Sequence, residues 1–279
     1  MVELNSTALF LRIGIFAFAA ILTLQIGALA LGWTGVILRA TLSVFAAAAV
    51  ANTIALRVFE RASFTRIGLG WHAAALRHLG WGLLGGLLSA ALVTALPALT
   101  PLASYQHTTS VPFHAPSLGF VAGALLFGAI GEELLFHGYA FQLLMGSYGA
   151  FTTLLPVGVL FAAAHSNNLA SNPLSLFNTF LWGVFLGLCF FRAGDLWLPI
   201  GVHYGWNLAL MLGGAQVSGF QLSATGYQLV WHTPDWLGGG AYGPEGGLLC
   251  TLVLPLLGWF LYRAPIDTQR PGLLSSPEE

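Results

Sequence analysis

The sequence predicts an all-α fold, a polytopic transmembrane helical bundle of about eight spans. Of the 279 residues, 57% are hydrophobic and 7% are charged, whereas charged residues make up about 25% of an average soluble domain. Lipid requires an apolar exterior and helices that satisfy their own backbone hydrogen bonds. The formal net charge of -1, with scattered arginines, offers no basic surface. We therefore exclude nucleic acid as a partner and expect membrane lipid in its place.

Apolar runs near the length that crosses a bilayer, about 20 residues, divide the chain. The first run ends in Ala28-Leu-Ala30, a possible signal-peptide cleavage site, but it is too long for a signal core, and we expect it to be retained as a span. Pro156 and Pro199 lie within or at the start of short runs, where kinks or half-spans are alternatives. The eight runs lie at residues 8–32, 36–56, 79–100, 117–144, 151–166, 175–191, 197–213 and 246–262.

Basic residues orient these runs in the membrane. The segment between the second and third runs carries Arg57, Arg61, Arg66 and Arg77, and the positive-inside tendency places it in the cytoplasm. With eight spans, both termini are then cytoplasmic, and the overall character suggests a multi-pass protein of a bacterial cytoplasmic membrane. Residues 60–78 suit either an interfacial helix or a basic loop that anchors the topology.

Two adjacent carboxyl groups, Glu132 and Glu133, interrupt the fourth apolar run. An acidic residue at the centre of a spanning helix costs about 2.5–3.5 kcal/mol, so such a pair is interpreted as functional. On a helix Glu133 and His137 share a face because they are four residues apart, whereas Glu132 points about 100° away. One carboxylate can therefore be paired structurally while the other acts on water as a general base.

Two other apolar runs supply polar partners. His165 lies at the end of the fifth run, beside Ser166-Asn-Asn168. His203 and Asn207 lie four residues apart on one face of the seventh run. Two donors that converge on one point can stabilise an oxyanion, although each residue taken alone also fits a hydrogen-bonded packing role. The remaining histidines and two aspartates fall in predicted loops and are interpreted as surface residues: His72, His78, His107, His114, His232, Asp195 and Asp235.

The order of these motifs resembles the CPBP family of intramembrane proteases. That family includes the eukaryotic CAAX prenyl endopeptidases and bacterial members linked to bacteriocin processing and self-immunity. The matching segments cover about residues 117–213 and are Glu132-Glu133-Leu-Leu-Phe136-His137-Gly138, Phe161-Ala-Ala-Ala-His165 and His203-Tyr-Gly-Trp-Asn207.

The resemblance implies a role for each matched residue. Glu132 would activate the hydrolytic water together with His165, while His203 and Asn207 would stabilise the tetrahedral oxyanion. Glu133 would be structural or would assist, and Phe161 would support the site. The family ordinarily has an arginine where this chain has His137, which offers a single-point contact in place of a charged fork. We expect a protonated His137 to preserve the pairing with Glu133.

Metal dependence stays open from the sequence. Glu132, His165 and His203 could supply three ligands to Zn²⁺ with a water in the fourth position. The chain has no His-Glu-x-x-His motif, and glutamate and histidine can activate water without an ion. We favour a site without a cofactor, with Zn²⁺ as the alternative.

The expected activity is hydrolysis of a peptide bond in a membrane-associated protein or peptide, with lipidated substrates included. The alternatives are a non-catalytic membrane scaffold or immunity protein of the same fold, and a proton- or cation-coupled transporter. The predicted regions are N-terminal transmembrane helices with the basic loop in 1–116, a catalytic core in 117–213, an outer loop and last helix in 214–263, and a polar disordered tail in 264–279.

Overall fold

The computed structural model describes residues 5–108, 114–222, 224–270 and 272–274. Helices account for most of this part of the chain, which confirms the predicted all-α class. The helices are α1 (Ser6–Ala30), α2 (Val36–Ala55), α3 (Ala75–Ala98), α4 (Ala115–Phe136), α5 (Tyr139–Tyr148), α6 (Ala150–Ala164), α7 (Pro173–Ala193), α8 (Trp197–Leu212), α9 (Asp235–Gly238) and α10 (Leu248–Arg263).

Five helical stretches in the described residues are long and apolar enough to cross a membrane, and the chain is therefore a polytopic membrane protein. Two shorter apolar helices, α6 and α10, accompany them. Each predicted apolar run contains at least one helix, while the total of about eight spans and the cytoplasmic termini stay predictions. The five stretches are Ser6–Ala30, Val36–Glu60, Ala75–Ala98, Ala115–Tyr148 and Pro173–Ala193.

The fourth predicted run, 117–144, is not one continuous helix but breaks between α4 and α5. A Cβ atom on Gly138 would lie 2.1 Å from the Leu134 carbonyl oxygen, so the turn requires glycine. The break leaves main-chain groups unpaired, and Asn52 of α2 satisfies two of them. Its side-chain amide donates to the Leu134 carbonyl at 2.9 Å, and its Oδ1 accepts from the Tyr139 amide at 3.0 Å.

Helices α3 and α8 pack with their backbones in close approach. A Cβ atom on Gly86 would lie 2.3 Å from the Val202 carbonyl oxygen, and one on Gly205 would lie 2.4 Å from that of Leu83. Small residues at such an interface allow helix backbones to touch, as is common in membranes. The contact fixes the position of α8, which carries His203 and Asn207.

Short strands organise the segments between the helices. Strands β1 (Ala103–His107) and β4 (Tyr227–Trp231) pair antiparallel, with Ala103 opposite Trp231. Strands β2 (Gln216–Val217) and β3 (Phe220–Gln221) form a second small antiparallel pair. The predicted outer loop, which begins at residue 214, is therefore folded across its described residues, while 109–113 and 223 lie outside them.

The structure describes two further segments about which the sequence made predictions. Between residues 60 and 78 the structure has a short 3-10 helix, Phe64–Ile67, and then loop until α3 begins, so the basic-loop alternative describes this segment. The predicted disordered tail is wrong for 264–270 and 272–274, because Gln269 donates its amide to Ala193 and Leu273 donates to Arg66. Ile266 is 5% exposed, so apolar burial holds this segment; residues 275–279 lie outside the described part.

Candidate active site

Glu133 is the buried centre of the polar cluster. Its carboxylate is fully enclosed; Oε2 lies 2.8 Å from Nδ1 of His137 and Oε1 lies 2.8 Å from Nδ1 of His203. A buried carboxylate is tolerated when its oxygens are paired in this way. The contact with His137 follows from the four-residue spacing on α4, whereas the contact with His203 joins α4 to α8.

His137 links Glu133 to a second helix. Its Nε2 lies 3.1 Å from the carbonyl oxygen of Gly183 on α7, and a carbonyl oxygen can only accept a hydrogen bond, so Nε2 carries a proton. If Glu133 is ionised, Nδ1 must also donate and the ring is an imidazolium. The pair then holds one positive and one negative charge, the same charges that an arginine at this position would give.

Glu132 points away from Glu133, as its position on the helix predicts, and lies near two imidazoles. Its Oε2 is 3.7 Å from Nε2 of His165 and 3.8 Å from Nε2 of His203. These distances are too long for direct hydrogen bonds. The Glu132 Oε2 atom is buried and has no hydrogen-bond partner, so the group is available to a water molecule or substrate.

The two histidines are held so that Nε2 of each remains free. Nδ1 of His165 donates to the carbonyl oxygen of Phe161 at 2.8 Å, because that carbonyl is an obligate acceptor. Nδ1 of His203 faces Glu133. In their neutral forms both rings therefore present an Nε2 lone pair, which is the state that a general base or a metal ligand requires.

A small cavity adjoins this group. It has a volume of about 20 Å³, which is sufficient for one water molecule. Phe161 forms part of the wall, with its ring centroid 4.8 Å from that of His165 and 6.3 Å from that of His203. The cavity is lined by Phe161, His165, Thr179, Trp182, Leu186, His203, Trp206, Asn207, Ser218 and Glu245. Asn207 thus contributes to the same pocket as both histidines.

The fit of this site to a metal ion is limited by spacing. Glu132, His165 and His203 have the donor types that zinc prefers, with both Nδ1 atoms held by second partners. Among the described residues, however, the group whose potential ligand atoms all lie within 4.8 Å of one another consists of His72, His78 and Asp195. Zn²⁺ therefore stays an alternative, and Glu132, His165 and His203 are the residues that would hold it.

Glu245 is a carboxylate of the cavity that the sequence analysis missed. It lies in the turn before α10, is 8% exposed, and accepts from Nε1 of Trp206 at 3.1 Å and from the amide and hydroxyl of Ser218. Burial raises the pKa of Glu245. A single acidic residue within the glycine-rich stretch 238–247, directly before an apolar helix, is the signal that could have indicated it.

The structure also corrects the interpretation of two residues as surface side chains. His78 is fully buried in the first turn of α3, and Asp195 is 1% exposed between α7 and α8. Their side chains meet at 2.6 Å. The sequence places them in separate loops because the helix packing that joins them is not visible in either segment. His107 and His232 keep the expected exposure.

Comparison with known proteins gives one family. The model of the family described as type II CAAX prenyl endopeptidase Rce1-like matches residues 114–209, about a third of the chain. No curated protein matches. The matched segment nearly coincides with the region of resemblance in the sequence and contains Glu132, Glu133, His165, His203 and Asn207. Over this segment the chain is therefore similar to the Rce1-like family of type II CAAX prenyl endopeptidases.

Proposed function

We propose that the protein hydrolyses a peptide bond of a membrane-associated protein or peptide with a water molecule activated by Glu132 and His165. The observation that carries this proposal is the free, buried Oε2 of Glu132, which lies 3.7 Å from the free Nε2 of His165. One water between them can donate one O–H to each acceptor, and a water has two protons to give. Both acceptors are thereby satisfied and the water oxygen is left as the nucleophile.

The remaining residues suit stabilisation of the intermediate. His203 can donate to an oxyanion through Nε2 only when Nε2 carries a proton, since its Nδ1 proton is directed at Glu133. Asn207 lines the same cavity and has two amide protons to offer. Donors of this kind, held in place before the reaction, typically contribute about 10²–10³ in kcat each.

The proposed reaction balances without a further reagent. Glu132 takes a proton from the water as its oxygen attacks the scissile carbonyl carbon, while His165 holds the second O–H. The carbonyl oxygen becomes an oxyanion that accepts from protonated His203 and from Asn207. On collapse, the C–N bond breaks and the leaving amine receives the proton from Glu132. The second carboxylate, Glu133, positions His203 and takes no part in the proton transfer.

The test is cleavage of a library of membrane-anchored and lipidated peptides by the full-length protein in nanodiscs. Glu132→Gln removes the base and keeps the side-chain volume, and His165→Ala removes the water partner. His107→Ala is the matched control because this histidine is exposed on β1, outside the site. We expect cleavage by the parent and the control and loss of at least about 10²-fold in both site variants.

A chelator arm addresses the zinc alternative. Cleavage that persists after chelation supports water activation by glutamate and histidine alone, whereas activity lost on chelation and restored by Zn²⁺ would overturn the metal-independent route. Absence of cleavage from a folded sample, with a biological effect that survives Glu132→Gln, would favour the scaffold or immunity function. Ion or proton uptake by proteoliposomes that depends on Glu132 would favour a transporter.

A further inference from the structure

A second polar cluster lies where the loop before α3 meets the turn between α7 and α8. It consists of His72, His78 and Asp195, whose potential ligand atoms all lie within 4.8 Å of one another. Oδ2 of Asp195 is 2.6 Å from Nδ1 of His78 and 2.9 Å from Nε2 of His72. Within the described ranges no other group of histidines, cysteines and carboxylates converges this closely.

Three of the four ring nitrogen atoms of this cluster have no hydrogen-bond partner in the protein, whereas Nδ1 of His78 is bonded to Asp195. Nε2 of His72 lacks the geometry of a hydrogen bond despite its 2.9 Å contact. Nδ1 of His72 and Nε2 of His78 are also buried without a hydrogen-bond partner, although the His78 side chain is fully enclosed. Buried polar atoms without partners are uncommon and call for a physical explanation, of which a bound ion is one.

The carboxylate is held in a way that leaves one oxygen for the histidines. Oδ1 of Asp195 accepts from the amide of Trp197 at 3.0 Å and from the amide of Leu198 at 3.4 Å. These bonds fix Oδ1 at the start of α8, so Oδ2 faces the two imidazoles. Hydrogen bonds of this kind from a second set of groups orient metal ligands in known sites.

The loop that carries His72 is docked on the same turn. The amide of Leu196 donates to the Gly68 carbonyl at 3.0 Å, and Nε1 of Trp197 donates to the Gly70 carbonyl at 2.9 Å. The Trp71 and Trp197 rings also meet edge to face, with centroids 5.3 Å apart. His72 therefore keeps its place near Asp195 without any help from an ion.

We propose that His72, His78 and Asp195 bind a divalent transition-metal ion, with Zn²⁺ as the ion tested. Two imidazoles and one carboxylate are ligand types that zinc accepts. The ion would join the loop before α3 to the start of α8. The site is separate from the catalytic group, because His203 lies eight residues beyond Asp195, about 12 Å along a helix.

The test must distinguish this site from the candidate active site. The full-length Glu132→Gln, His165→Ala double variant, purified in detergent and stripped with a chelator, is titrated with Zn²⁺ by calorimetry, and bound metal is counted by mass spectrometry. Co²⁺ is then substituted, since its visible absorption reports the ligand geometry. We expect one ion per chain and cobalt absorption bands typical of a low-coordinate site.

Two further changes in that background locate the ion. His72→Ala removes the most exposed ligand, and Asp195→Asn keeps one oxygen for the α8 amides while the other position becomes an NH₂ group, which cannot bind a metal. We expect each to weaken Zn²⁺ binding at least about tenfold, because even the loss of a group that only hydrogen-bonds to a metal ligand costs about 10–100-fold. His107→Ala should bind as the background does. No Zn²⁺ bound by the double variant, or unchanged affinity in His72→Ala, would overturn the proposal.

Discussion

Removal of the His137 side chain tests whether Glu133 is held by a charge-bearing partner. In His137→Ala, Oε2 of Glu133 loses its contact at 2.8 Å, and the Gly183 carbonyl loses one at 3.1 Å. Glu133 is fully buried, so water cannot replace the lost donor without a rearrangement. The carboxyl group must then either remain charged without this partner or take up a proton.

The cost of proton uptake sets the size of the effect. At pH 7, protonation of a carboxylate with an ordinary pKa of about 4.3 costs about 3.7 kcal/mol, since each pH unit corresponds to about 1.4 kcal/mol. This value lies within the range of about 3–5 kcal/mol found when a buried ion pair loses one partner. We therefore expect His137→Ala to lower the free energy of unfolding by about 3–4 kcal/mol.

The assay is reversible unfolding in mixed micelles at pH 7 and again at pH 5. The penalty should shrink at pH 5, where the same protonation costs about 1 kcal/mol. His165→Ala is the matched control, because that ring makes one hydrogen bond, to the backbone of its own helix, and should cost no more than about 1.5 kcal/mol. A loss below about 1 kcal/mol in His137→Ala at pH 7 would refute the pairing of charges.

Three further changes have distinct expected outcomes. His137→Arg should keep or raise peptide cleavage, since a guanidinium also donates to the Glu133 carboxylate. A clear loss of cleavage in the nanodisc assay would contradict the equivalence of histidine and arginine as partners of Glu133. Asn207→Ala should lower kcat about 10²–10³-fold with an unchanged unfolding midpoint if it stabilises the oxyanion. Glu245→Ala should expose residues 213–247 to limited proteolysis and cost about 1–3 kcal/mol, because the Trp206 and Ser218 donors lose their acceptor; proteolysis equal to the parent would contradict that role.

Local geometry explains which parts of the site could be predicted. Glu133 and His137 meet because four residues on one helix bring side chains to the same face, and Glu132 faces elsewhere for the same reason. Polar residues within apolar runs predicted that Glu132, His165 and His203 share one site. Only the resemblance to a family implied their roles, because residue spacing alone left each histidine open to a packing role. In the structure both histidines lie within 4 Å of Glu132, while the catalytic roles of all three residues stay proposals.

Contacts between distant segments could not be predicted. His78 and Asp195 are 117 positions apart, and only the packing of α3 against α8 brings them together. Glu245 enters the cavity because its glycine-rich turn packs against α7, where Asn178 donates to the Glu245 carbonyl, and hydrophobic periodicity does not predict such a contact. The tail beyond α10 was predicted to be disordered because its composition is polar. That prediction is wrong for the described residues, because Ile266 and Leu273 pack against the hydrophobic core of the helices.

The side-chain amide of Asn52 on α2 constrains the order in which α2 and the α4–α5 segment assemble. Of the main-chain groups at the break between α4 and α5, Asn52 pairs with one acceptor and one donor at once; an aspartate could only accept, and an alanine could do neither. In lipid such groups cannot be left open, so the α4–α5 segment gains its bend only when α2 is beside it. Because α2 is synthesised first, the nascent chain already holds the partner when the segment with the two glutamates is made.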